Sequence, residues 1–69
     1  MYFLRDFFRV EFTDHQFAAW LRNHDPNWTW EDRVPNVKHF VKSDGTLLAF
    51  AIYNHAKCTS KIYVHKDFV

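Results

Sequence analysis

Five histidines, His15, His24, His39, His55 and His65, and the single Cys58 are the side chains able to hold a metal or act as nucleophiles. His55 and Cys58 have the spacing of a ligand pair and fall in a polar stretch. A zinc site needs four ligands, so His39 and His65 would have to join them. No second cysteine pair accompanies them, and no two histidines are spaced as a ligand pair. No metal site is therefore expected. The histidines read as surface side chains and Cys58 as a half-buried small apolar one.

Nucleophilic catalysis would need Cys58 turned toward a histidine with a third group behind it. The residue types are present, but so short a fold has little room for a pocket of about 300–1,000 Å³. The acids are scattered, and no S-x-x-K, G-x-S-x-G or H-E-x-x-H motif occurs. Gly45 is the only glycine, which leaves no glycine-rich loop to cradle phosphate. The expectation is a chain that is not an enzyme and has no cofactor.

Binding chemistry is better supplied. Aromatic residues make up 20% of the chain, as eight Phe, three Tyr and three Trp. Each ring buries roughly 150–250 Å², which a short domain needs for its core. The number of rings nevertheless exceeds what one small core absorbs, and exposed aromatic clusters mark contact surfaces. Trp28 and Trp30 stand two apart, so in an extended segment they would point the same way. With Arg33 and the acids Glu31 and Asp32 around them, they are expected to anchor a protein partner. A sheet edge would add main-chain pairing.

A second surface suggests nucleic acid. Phe7, Arg9 and Glu11 alternate with Phe8, Val10 and Phe12. If the latter face a helix, the former join Lys38, Phe40 and Lys42, and Lys61, Tyr63 and His65, on the opposite side of a sheet. Arg9, Lys38, Phe40, Lys42, Lys61 and Tyr63 would then interleave rings with cations, as single-strand binding surfaces do. No RNP motif supports this, and the net charge is only +1. A homodimer is compatible with either surface.

The elements that must position these residues can be read along the chain. Residues 2–12 are β-formers with alternating faces. Thr13 and Gln16 form a T-x-x-Q capping box, and Phe12 and Phe17 have hydrophobic-staple spacing. The helix that follows should end near Asn23 or His24, since Pro26 disfavours helical geometry at Asp25. Residues 25–36 read as a connector, with Asp25 or Asn27 capping a short turn through Trp30 to Arg33. Strands are expected over 37–42, 47–53 and 60–65, the first two joined by Asp44-Gly45. The fold class is α+β: one domain over residues 1–69, order β-α-β-β-β, with an antiparallel sheet of about four strands and one helix on one face. The first strand should lie beside the last strand or the one before it.

Sixty-nine residues allow one domain, and 48% apolar with 25% charged residues is globular composition. No apolar run reaches membrane-span length, and Met1 to Asp6 meets charge too early for a secretory core. One cysteine closes no internal bridge, so a reducing cytoplasm is the expected compartment. Residues 1–34 hold every Arg and net −2, whereas residues 35–69 hold every Lys and net +3. Short, aromatic-rich and motif-free, the chain has the style of accessory or inhibitory proteins of phages and mobile elements. It is expected to inhibit or modulate the partner it docks on.

Overall fold

The computed structural model describes residues 4–68. A 3₁₀ turn at Leu4–Asp6 leads into strand β1 (Phe7–Val10), and helix α1 (Asp14–His24) follows. Strands β2 (Thr29–Val34), β3 (Val37–Val41), β4 (Leu47–Asn54) and β5 (Thr59–His65) come next, before a 3₁₀ turn at Lys66–Phe68. They form one antiparallel sheet in the order β1-β5-β4-β3-β2. The α+β class with one helix and an antiparallel sheet is thus as the sequence indicates, with a fifth strand added. The first strand lies beside the last. Of the expected first strand, residues 2 and 3 lie outside the described residues, and Leu4–Asp6 is 3₁₀ rather than extended.

Helix α1 begins where local chemistry dictates. The Thr13 hydroxyl accepts from the Gln16 amide (3.1 Å), and the Gln16 side chain accepts from the Thr13 amide (3.0 Å). The Phe12 and Phe17 rings stack at 6.3 Å, closing the staple. The helix stops at Asp25, whose backbone is extended (φ −156°, ψ 112°) ahead of Pro26. Asp25 then does more than end a helix. Its buried carboxylate accepts from the Asn27 amide, the Ser43 amide and the Ser43 hydroxyl, each at 2.8 Å. These bonds, led by that from the Ser43 amide, hold its pKa below the ordinary aspartate value. The helix end is thereby tied to the β3–β4 turn.

The expected helical turn within 25–36 is not formed. Thr29–Val34 is instead an edge strand on β3, with Trp30 opposite Phe40 and Asp32 opposite Lys38. Pro35 and Asn36 make the tight return, and Asn36 takes φ +67°, a conformation asparagine tolerates. Arg33 is the extra residue of a bulge there. The β3–β4 turn follows the Asp-Gly signal. Asp44 accepts from the Thr46 amide (2.9 Å) and Gly45 takes φ +90°.

The core lies between α1 and strands β3, β4 and β5. Phe17 and Leu21 pack on Phe40, Leu48, Ala49, Ala51, Ile62 and Val64. Burying each of these two helix side chains contributes roughly 1.5–3 kcal/mol. The alanines on β4 leave room for the helix to approach. The β3–β4 register slips between Phe40 and Val41, which makes Leu48 an extra residue of β4. A bulge can turn adjacent side chains to one side, and Leu48 and Ala49 both join the helix-side core.

Candidate functional site

Trp30 is half exposed, at 50%, on the helix-side face of edge strand β2. Antiparallel partners share a face, so Lys38, opposite Asp32, lies on the same side. Tyr53, two residues beyond Ala51, also faces that side and is 39% exposed. The three side chains meet: Lys38 Nζ stands 4.3 Å from the Trp30 ring centre and 5.7 Å from that of Tyr53. Among the described residues, the Lys38 ammonium makes no ion pair and is drawn over the rings instead.

An open groove of about 620 Å³ runs past these residues, lined by Asp32, Val34, Lys38, Tyr53 and His55 among others. Val34 adds 51% exposed apolar surface. At one end, His55 Nε2 lies 2.6 Å from the Asn36 side-chain oxygen, bracing the β4–β5 turn against the β2–β3 turn. A second hollow of about 260 Å³ shares Lys38 and Tyr53 and reaches Asp14, Ala18, Trp28 and Trp30. The two hollows adjoin at Lys38 and Tyr53, and the second lies between α1 and the β2–β3 hairpin.

The two tryptophans line the same hollow but differ in burial. Trp28 precedes β2, donates its amide to the Asp25 carbonyl (3.1 Å) and packs on the core, its ring 6.0 Å from that of Phe40. Its indole lines the second hollow together with the more exposed Trp30. Arg33 occupies the bulge of β2, and its side chain lies outside what the structure describes.

The expected basic and aromatic face needs correction. Arg9, Lys61 and Tyr63 do share the side away from α1, since Arg9 pairs with Tyr63. Lys38 and Phe40 lie on the opposite side, opposite Asp32 and Trp30. Phe40 is buried beneath the helix, edge-on to Phe17 at 4.8 Å. Lys42 reaches Phe68, 6.0 Å from its ring centre. The six residues therefore form no single surface. Strand β3 is buried on both faces, so its alternation gave no sign of which side meets the helix.

The side away from α1 carries its own ring cluster. Phe50 contacts Phe7 edge-on at 4.9 Å, stacks with Tyr63 at 5.0 Å and lies 6.5 Å from the His39 ring. His39 is 1% exposed, and burial lowers its pKa. His55 and Cys58 share a turn, where Cys58 is exposed rather than half-buried and takes φ +52°. His39 and His65 belong to the ring cluster instead. Among the described residues, no three His, Cys, Asp or Glu side chains converge as metal ligands. No helix among them is long and apolar enough to cross a membrane.

No protein-family model matches this chain, and no curated protein or solved structure does so either.

Proposed function

We propose that this chain is a non-catalytic binding protein that docks on a protein partner through the Trp30 surface and inhibits or modulates it. The observation that carries the reading is the exposure of Trp30 and Tyr53 on the helix side of one sheet corner, both beside Lys38. Two large rings left together in water have a solvation cost that a partner's surface removes. Trp and Tyr are also the residue types that dominate binding energy when a partner seals them. Lys38 and Asp32, side by side among them, give the surface polar groups that fix orientation.

Affinity capture from nuclease-treated and untreated lysate tests the reading, with wild type and Trp30→Ala as bait. The expected result is a protein captured regardless of nuclease and lost with Trp30→Ala, which remains folded by circular dichroism. The indole is half exposed and pairs with Phe40 across the strands, so its loss should cost roughly 0.2–1 kcal/mol of stability. Capture that survives Trp30→Ala, or disappears with nuclease, overturns the assignment.

A further inference from the structure

At the sheet edge far from Trp30, we propose that two copies of this chain pair antiparallel through β1, joining their five-stranded sheets into one. This second interaction surface goes beyond the docking role of Trp30 and does not depend on it. Among the described residues, β1 has β5 as its single sheet neighbour, so its outer edge offers backbone groups to a further strand. Sheet edges are ordinarily guarded by lysine, proline, bulges or a covering element. The β1 run Phe7-Phe8-Arg9-Val10 holds no lysine or proline and pairs with β5 in unbroken register. Helix α1 packs on residues of β3, β4 and β5. Phe8, opposite Val64 and so on the helix side of β1, is left 53% exposed. The other edge is guarded, because β2 carries Glu31 and Asp32 and ends in a bulge at Arg33.

A second copy is the occupant that β1 selects, because the strand is complementary to itself. Antiparallel partners share a face, and a twofold axis normal to the sheet keeps each face on its own side. The axis must therefore pass between two copies of the same residue. Within Phe7–Val10 it can fall at Phe8 or at Arg9 and still pair residues on both sides. Centred on Arg9, it sets two guanidinium groups opposite each other, which destabilises a sheet. Centred on Phe8, it brings two exposed rings together on the helix side. Each Arg9, which makes no ion pair among the described residues, then lies opposite Phe7 of the other copy. A head-to-tail joint of β1 on β2 fits less well. The register that sets Arg9 against Glu31 puts Phe8 against the Asp32 carboxylate, and such a joint repeats without closing. A seam of four residues a side is short, so the dimer is weak and concentration-dependent. Both Trp30 corners lie at its outer ends, open to a partner.

Sedimentation equilibrium of the full chain, from about 10 µM to about 1 mM, reads the pairing. The mass should rise with concentration from 8.4 kDa toward twice that value and no further. Phe8→Lys, folded by circular dichroism, should weaken the dimer at least roughly tenfold, because it sets two ammonium groups opposite each other. Trp30→Ala should leave the dimer unchanged. Register is read by cross-linking with oxidised glutathione in a Cys58→Ser background. Phe8→Cys should close an intermolecular disulfide, since directly opposite Cα atoms lie about 4.5–5.5 Å apart. Arg9→Cys, whose mate lies diagonally across at about 7–8 Å, should not. A chain still monomeric at about 1 mM overturns the inference, as does a mass that grows past the dimer. Equal cross-linking of the two cysteine variants, a dimer that Phe8→Lys leaves intact, or one lost with Trp30→Ala overturns it too. None of these outcomes touches capture through Trp30, so the two readings fail separately.

Discussion

Trp30 and His39 show how differently a sheet this small treats its rings. Strand β3 contributes Phe40 and His39 to opposite faces, and both are buried. Phe40 lies under the helix, while His39 joins Phe7, Phe50 and Tyr63 on the other side. Two ring clusters, one per face, absorb much of the aromatic surplus and leave Trp30 and Tyr53 outside at one corner and Phe8 outside on the opposite edge strand. The buried imidazole has a consequence in solution. Burial disfavours its charged form, so the folded His39 pKa lies below the ordinary value of 6.5. In the unfolded chain the same ring takes up a proton near pH 6.5. As pH falls below that, the unfolded state binds the proton first and stability declines toward the depressed native pKa; above it, both states are neutral and the full stability remains. Urea unfolding of wild type and His39→Phe between about pH 7.5 and pH 5 should show a steeper fall for wild type. Parallel pH profiles would mean that His39 is not the group responsible.

The helix was fully legible because its signals are local. Thr13, Gln16, Phe12, Phe17 and Pro26 act within a few residues of one another, and the observed bonds follow their spacing. Thr13→Ala removes an acceptor for a backbone amide and should cost about 1 kcal/mol, read as a shift of the urea midpoint with an unchanged slope. A cost near zero would mean that the Gln16 side of the box holds the turn alone. Strand β2 had no such local signature. Thr-Trp-Glu-Asp-Arg-Val carries three consecutive charges between two prolines, and Glu and Asp are poor strand formers. Its pairing rests on long-range partners: Trp30 opposite Phe40, Asp32 opposite Lys38, and the anchoring of its entry by Asp25 on Ser43. The site inherits that difficulty. Trp30 was visible as a candidate, but Tyr53 and Lys38 join it only through a register that alternation in a doubly buried strand does not reveal. The nucleic-acid face failed to assemble for the same reason, since a one-residue change of parity moved Lys38 and Phe40 across the sheet.

The strand order joins the two ends of the chain at one edge and the docking corner at the other. Strand β1 closes on β5 across most of the sequence, β4 lies at the centre, and β2 is the far edge. Strands β3, β4 and β5 each have sheet neighbours on both sides and a helix-side core above them, and β4 is central, with Leu48, Ala49, Phe50 and Ala51 all buried in succession. Local opening should therefore begin at the edges, where one side of each strand has no ladder bonds. Native-state hydrogen exchange should find the β4 amides of residues 48–51 slowest, near the global unfolding free energy. The β2 amides of residues 30–32 should exchange faster, through sub-global opening that leaves β4 intact. The order matters for function, because β2 carries Trp30. If the docking corner is the least stable part of the sheet, a partner seated across Trp30, Lys38 and Tyr53 should slow exchange in β2 and leave β4 unchanged. Uniform exchange across all five strands would instead mean that the molecule opens only as a whole, and binding would then raise protection everywhere by the same factor.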